Sequence, residues 1–289
     1  MTAYSVRFWG ARGSVPTPGP QTARYGGNTS CVSLRLSGNG EQLVILDAGT
    51  GVRPLGNLIM EQINGTVEMD LLLSHTHWDH IQGLPFFRPL AAEGYVVRIW
   101  GAKQGNVELP VILQQQMHPV VFPVPLEELA TDLTVGHIDP GSFVIDGFDV
   151  SAMRVRHPAS TMAYRLTPKG GGTSIAFVPD NELGPGGQYG VPPRWREEFV
   201  EFLADVDVLI HDAMFAEKDL ERFRGWGHSS PDEALALAAE AKAKQLVLFH
   251  HRPEHDDNTL DALLNEARTK GKACGVEVVA ASEGMEMKL

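Results

Sequence analysis

Four stretches of this chain run an apolar segment straight into a metal-ligating side chain, and that repetition limits the folds open to it. The densest is "LLLSHTHWDH" (71–80), in which three leucines precede His75, His77, Asp79 and His80. "FDVSAMRVRH" ends on His157, "TSIAFVPD" on Asp180 and "QLVLFH" on His250. Short apolar runs that end at turn residues read as buried strands. Each of these delivers its donor to a turn, and together they form one set of seven donors.

His75 and His77 are two apart, so at a strand end their side chains leave on the same side. Trp78 is expected to pack beneath them, with Asp79 and His80 following as the chain turns. Imidazole and carboxylate donors without thiolates suit Zn, Mn, Fe and related ions. Four donors this close in sequence do not readily wrap one ion with good geometry. Two pairs serving two adjacent ions are easier, provided other strand ends complete each set.

The chain has 289 residues, 43% of them hydrophobic and 21% charged, an ordinary globular balance that allows a sizeable core. Its 24 basic and 36 acidic residues leave a net charge of −12. That argues against an extended nucleic-acid surface, which needs clustered Lys and Arg to neutralise phosphates. Cys31 and Cys274 are far apart and form no CxxC pattern, so a reducing compartment fits better than a disulfide framework. The start of the chain has no basic-then-apolar signal pattern, and no apolar run approaches the roughly 20 residues of a membrane helix. The expectation is a cytoplasmic protein with no membrane partner.

The first third reads as strands joined by Gly-rich turns, with "YSVRFWG" first and "SGNG" (37–40) as a hairpin turn between two strand-like runs. A helix is expected over 52–63, a buried strand over 67–73 and another at "VVRIWG". Residues 102–130 carry a short helical stretch, then Pro119, Pro123 and Pro125, which forbid a long helix. That segment reads as an insertion, either a lid or a homodimer interface through "VVFPVPL". Strands are expected at 148–156, 161–167 and 173–178. Beyond them helix and strand alternate, closing with a helix near 257–271 and two short strands. One domain over 1–289 accommodates the whole pattern.

HxHxDH, a later His, a later Asp and a final His resemble the metallo-β-lactamase superfamily of metallohydrolases. The likeness spans nearly the whole chain. It implies an α/β fold, a four-layer αββα sandwich with the active site along one edge of the sheets. It further implies that His75, His77 and His157 hold one divalent ion and Asp79, His80 and His250 a second, with Asp180 bridging. The ions would be Zn or Mn. Asp47, in "LVILDAGTG", matches the buried Asp that orients a metal histidine. His251 and His255, beyond the strand-end His250, are expected at the rim.

Two ions sharing a hydroxide nucleophile imply hydrolysis, with Asp79 counted among the catalytic residues. "LIHDAMF" (209–215) and "GWGHSS" (225–230) resemble the paired motifs of the ribonuclease Z and cyclic phosphodiesterase branch. In that branch the acidic residue of the first motif, here Asp212, supports the histidine of the second, here His228. A carboxylate partner raises an imidazole pKa and fixes its tautomer, so His228 would protonate the departing alkoxide. "GSVPTP" and "GGNTS" resemble the opening segment of the same branch, making Arg12 and Asn28 candidate substrate contacts.

Ribonuclease Z carries a long tRNA-binding arm between its third-motif His and bridging Asp. Here only 22 residues separate His157 from Asp180, including a hairpin turn at "TPKGGGTS". A small phosphodiester, cyclic nucleotides included, is therefore the expected substrate. The competing readings are a ribonuclease Z-like endonuclease acting on RNA 3′ ends and a thioester, lactone or β-lactam hydrolase on the same scaffold.

Overall fold

A computed structural model describes residues 3–36, 42–62, 67–145, 147–185 and 189–289, so the "SGNG" turn lies outside the described residues. Its strands form two seven-stranded sheets that share one plan. The first takes β1 (Tyr4–Gly10), β2 (Cys31–Leu36), β3 (Gln42–Leu46), β4 (Val67–Leu72), β5 (Tyr95–Gly101) and β6 (Asp132–His137) in chain order. The second takes β7 (Gly141–Ile145), β8 (Phe148–Arg154), β9 (Met162–Pro168), β10 (Ile175–Val178), β11 (Val208–Asp212), β12 (Gln245–Phe249) and β13 (Glu277–Ala280). The last strand, β14 (Glu286–Lys288), returns to pair with β1 and closes the edge of the first sheet.

In each sheet antiparallel strands give way to parallel ones, from β3 onward in the first and from β10 onward in the second. Parallel neighbours need a crossover, and crossovers cover the outer face with helix. Helices α1 (Val52–Gln62), α2 (Trp78–Ile81) and α3 (Leu109–Gln116) lie in the crossovers of the first sheet. Helices α4 (Trp195–Leu203), α5 (Pro231–Glu240) and α6 (Asp257–Cys274) serve the second.

Three apolar layers result. Phe8, Leu34, Tyr164, Phe177 and Phe249 fill the space between the sheets. Leu55, Met69, Leu71 and Leu113 pack the first sheet on its helices, and Phe199, Leu209, Leu237 and Leu264 do the same for the second. Strand β4 feeds two of these layers by simple alternation: Met69 and Leu71 face the helices while Leu72 faces the other sheet. The architecture is the expected α/β sandwich of four layers, αββα.

Residues 102–130 make the crossover from β5 to β6. Leu109, Leu113, Met117 and Leu126 anchor them in the helix-side core, while Val120 and Val121 are exposed. Their polar contacts reach the strand-end loops: the Gln116 side-chain amide donates to Ile81 O at 2.7 Å, and Gln104 bonds both the amide and the carbonyl of Ser160. The expected strands at 148–156, 161–167 and 173–178 appear within a residue or two of those bounds. Among the described residues no helix is long and apolar enough to cross a membrane.

Candidate metal centre

Parallel strands all point their C-terminal ends the same way, and crevices at those ends are where open α/β sheets collect ligands. Asp47 follows β3, the "SHTHWDH" run follows β4, Asp180 follows β10, Asp212 ends β11 and His250 follows β12. His157 joins them from the turn after β8. The seven donors named from the sequence meet there, and all but His77 are buried.

Asp180 sits at the centre. Its Oδ1 lies 3.1 Å from His80 Nε2 and 3.2 Å from His250 Nε2, while Oδ2 lies 3.8 Å from His75 Nε2 and 3.7 Å from His157 Nε2. One carboxylate thus faces two histidine pairs with different oxygens. His77 Nδ1 approaches His157 Nε2 to 3.0 Å on one side, and Asp79 Oδ2 approaches His250 Nε2 to 3.1 Å on the other. The trio His75, His77 and His157 and the trio Asp79, His80 and His250 each bring one donor atom apiece within reach of a single ion.

The outer nitrogens fix which ring atoms point inward. His80 Nδ1–H donates to Asp47 Oδ2 at 2.7 Å, and His157 Nδ1–H donates to Gly227 O at 3.1 Å. His75 Nδ1 pairs with Ser74 Oγ at 3.1 Å. Each ring thereby turns Nε2 towards the cluster, the arrangement that second partners impose on metal-binding histidines. Asp47 is held in turn by the Ser74 amide at 2.7 Å and by the hydroxyls of Ser74 and Ser30.

Three residues here accept left-handed backbone angles: Ser14 (φ 62°), Asp47 (φ 61°) and His250 (φ 58°). Such angles cost a non-glycine residue free energy and persist where the surroundings over-determine them. Ser14 uses its amide to bond Asp79 Oδ2 at 2.6 Å. Next to it, a Cβ on Gly13 would fall 2.4 Å from His250 Cε1, so only glycine lets that ring stand where it does.

The electrostatics fit a divalent cation. Burial drives His75 and His157 toward the neutral form, His157 down to about 3, and neutral imidazole is the ligand form. His80 goes the other way. Burial opposes its charge, but Asp180, Asp79 and Asp47 together hold it protonated. Three carboxylates therefore demand positive charge at this point, and no Lys or Arg among the described residues pairs with any of them. Buried Nε2 of His75, Nε2 of His80 and Oδ1 of Asp180 make no hydrogen bond, which is costly for polar atoms unless a cation takes them. Neither cysteine is among the grouped donors.

Beside this cluster stands the expected Asp212–His228 pair, at 2.7 Å from Oδ2 to Nδ1. Asp212 is fully buried and also accepts from the amides of Met214 and Asn181. Burial works against a charged His228, but the charge and hydrogen bond of Asp212 prevail and raise its pKa to about 9. The His228 ring stacks on His250 with centroids 5.0 Å apart. The neighbouring helix α5 is capped by Ser230 in a capping box with Glu233, which leaves His228 free of any capping role.

Some expectations need correcting. Arg12 is not placed to touch substrate. It is 0% exposed, and its guanidinium donates to the carbonyls of Gly26, Arg252 and His255 beneath the loop. Asn28 is likewise taken: its amide and side chain both donate to Glu283. Trp78 does not pack beneath the histidines. It opens α2 with 78% of its surface exposed, while Asp79, His80 and Ile81 turn inward. His251 and His255 are buried rather than at the rim, and His251 Nε2–H donates to Ala281 O at 2.8 Å. The sequence reading missed Ser74, whose hydroxyl lies between Asp47 and two histidines, and Glu182, buried just beyond Asp180. Only their positions next to ligating motifs mark them in sequence.

A family model described as the beta-lactamase superfamily domain matches residues 43–251. The chain belongs to this superfamily. The expected class, a metal-dependent hydrolase, goes with that membership. Ribonuclease Z of Bacillus cereus (strain B4264) is 23% identical over 300 residues, covering 90% of this chain and 92% of the relative. The metallo-beta-lactamase fold protein YhfI from Bacillus subtilis superposes with a TM-score of 0.69 at 21% identity, over 99% of this chain and 100% of its own. Unliganded yeast PDE1 superposes with a TM-score of 0.72 at 17% identity, over the full length of both chains. At these identities the superpositions establish the fold.

Proposed function

We propose that this β-lactamase superfamily member is a dinuclear metal phosphodiesterase acting on a small nucleotide phosphodiester, cyclic ones included. The observation that carries the reading is the 2.7 Å contact between Asp212 and His228 at the edge of the donor cluster. Two divalent cations, Zn or Mn, would be held by His75, His77 and His157 and by Asp79, His80 and His250 with Asp180 between, supplying Lewis-acid charge and an activated water. The remaining chemistry belongs to the chain. An alkoxide leaves poorly unless it is protonated as the P–O bond breaks. Asp212 fixes His228 through Nδ1 and favours its charged form, which leaves Nε2–H as the proton donor. Asp79 keeps its charge in the face of burial because His80 and His250 surround it.

The chain between His157 and Asp180 supports a small substrate. It holds only β9, a Gly-rich turn and β10, with no room for an RNA-gripping arm. The net charge of −12 also disfavours a polyanion. Ribonuclease Z-like cleavage of RNA ends is the second reading, favoured by the extent of the match to the Bacillus cereus ribonuclease Z. A hydrolysis panel with and without chelator separates them. It should contain 3′,5′- and 2′,3′-cyclic nucleotides, a bis-aryl phosphate, a precursor tRNA, a thioester and a β-lactam. Chelator-sensitive turnover of the small phosphodiesters without tRNA cleavage supports the proposal. Turnover confined to tRNA supports the second reading, and turnover confined to the thioester or β-lactam overturns both.

A further inference from the structure

We propose that Glu182 is a positioning residue for this site, a buried carboxylate that latches the loop carrying His228 and sets the ring of His157 through the same loop. The kinetic part of the test rests on the phosphodiesterase reading; the structural part does not. Glu182 is 1% exposed, and a carboxylate that deep needs hydrogen bonds to offset lost hydration. Its Oε2 accepts three: from the Gly225 amide at 2.9 Å, the Gly227 amide at 3.0 Å and the Tyr189 hydroxyl at 2.6 Å.

Gly225 (φ 86°) and Gly227 (φ 87°) flank Trp226 in left-handed conformations. Converging backbone amides of this kind form an anion-binding concavity, and the anion here is the chain's own carboxylate. The loop then acts in two directions. The Gly227 carbonyl accepts from His157 Nδ1 at 3.1 Å, and a Cβ on Gly227 would fall 2.3 Å from that nitrogen. The next residue is His228, already paired with Asp212.

The neighbours of Glu182 extend the latch. Ser229 Oγ donates to Asn181 O at 2.6 Å and accepts from the Leu183 amide at 3.1 Å. The Glu182 amide donates to Arg156 O, directly before His157, at 2.8 Å. The run that begins at Asp180 thus grips both the His157 turn and the His228 loop. Glu182 touches no donor of the cluster, so its effect passes through the residues it places.

The test uses the metal-loaded protein with Glu182→Ala and Glu182→Gln. Two readouts are needed: hydrogen exchange of the 222–230 segment, and kcat on a nitrophenyl and an alkyl phosphodiester of the same nucleoside. Only the alkyl ester needs a proton on leaving. The latch predicts faster exchange in Glu182→Ala and an alkyl-to-nitrophenyl kcat ratio lowered by about ten-fold or more, with KM changing less. Glu182→Gln, which keeps an acceptor for the loop amides, should recover most of both. Should the alanine variant fail to fold, Glu182→Asp withdraws the oxygens from the loop and should give the same pair of changes. Exchange like wild type together with an unchanged ratio overturns the latch. If wild type hydrolyses neither ester, the phosphodiester reading fails by itself and loop exchange alone decides the latch.

Discussion

His228 is buried between His157, His250 and Phe215, where a lone imidazole would stay neutral; Asp212 reverses that preference. A function that needs the protonated ring is present below its pKa and is lost as pH rises through it. Replacing Asp212 by Asn removes the opposing charge, so the alkaline fall in kcat should move to lower pH, read from a pH–rate profile. His228→Ala should lower kcat on alkyl phosphodiesters by about 10²–10⁴-fold and on nitrophenyl esters far less. Asp47 acts one step further out, through His80. Asp47→Ala should weaken metal affinity by about 10–100-fold, measured by competition with a chromophoric chelator. At this scale the sequence was legible where an apolar strand ends in a donor, as at Asp180 and His250. It was not legible for Arg12, whose burial depends on carbonyls more than 200 positions away, at Arg252 and His255. Glu182 was equally hidden, because its partners are backbone amides that only the folded loop presents.

Among the elements, the parallel strands decide the site, since their common direction gathers donors that are distant in sequence. Strands β10 and β12 were readable because both faces are buried and their residues are almost wholly apolar, and β4 because its end runs into three leucines. Strands β6 and β7 were not. They are the edges of their sheets, largely exposed, with the mixed composition of "DLTVGH" and "GSFVI". The segment 102–130 read as an insertion because its prolines break periodicity, yet it supplies α3 to the outer layer. Helix α5 offers a direct test of local wiring. Ser230→Ala removes half of a capping box and should cost about 1 kcal/mol, seen as a lower urea midpoint with unchanged slope. Phe177→Ala, in β10 just before Asp180, opens the core between the sheets and should cost about 3–5 kcal/mol by the same measurement.

Across the whole molecule, two sheets of one plan face each other and their parallel halves share an edge where Asp180 stands between two groups of donors. The net charge of −12 and the short connection between His157 and Asp180 are the features that support the small substrate proposed above. The layered architecture was legible from the alternation of strands and helices in sequence, whereas the pairing of β14 with β1 depends on the two ends of the chain meeting. On the proposed function this edge binds two divalent ions and hydrolysis depends on them. Elemental analysis of active protein, coupled to phosphodiester hydrolysis before and after chelation, tests it most directly. The expected result is about two ions of Zn or Mn per chain, loss of activity on chelation and recovery when either ion is restored. Full activity with fewer than two ions per chain, or hydrolysis that chelators leave untouched, would contradict it.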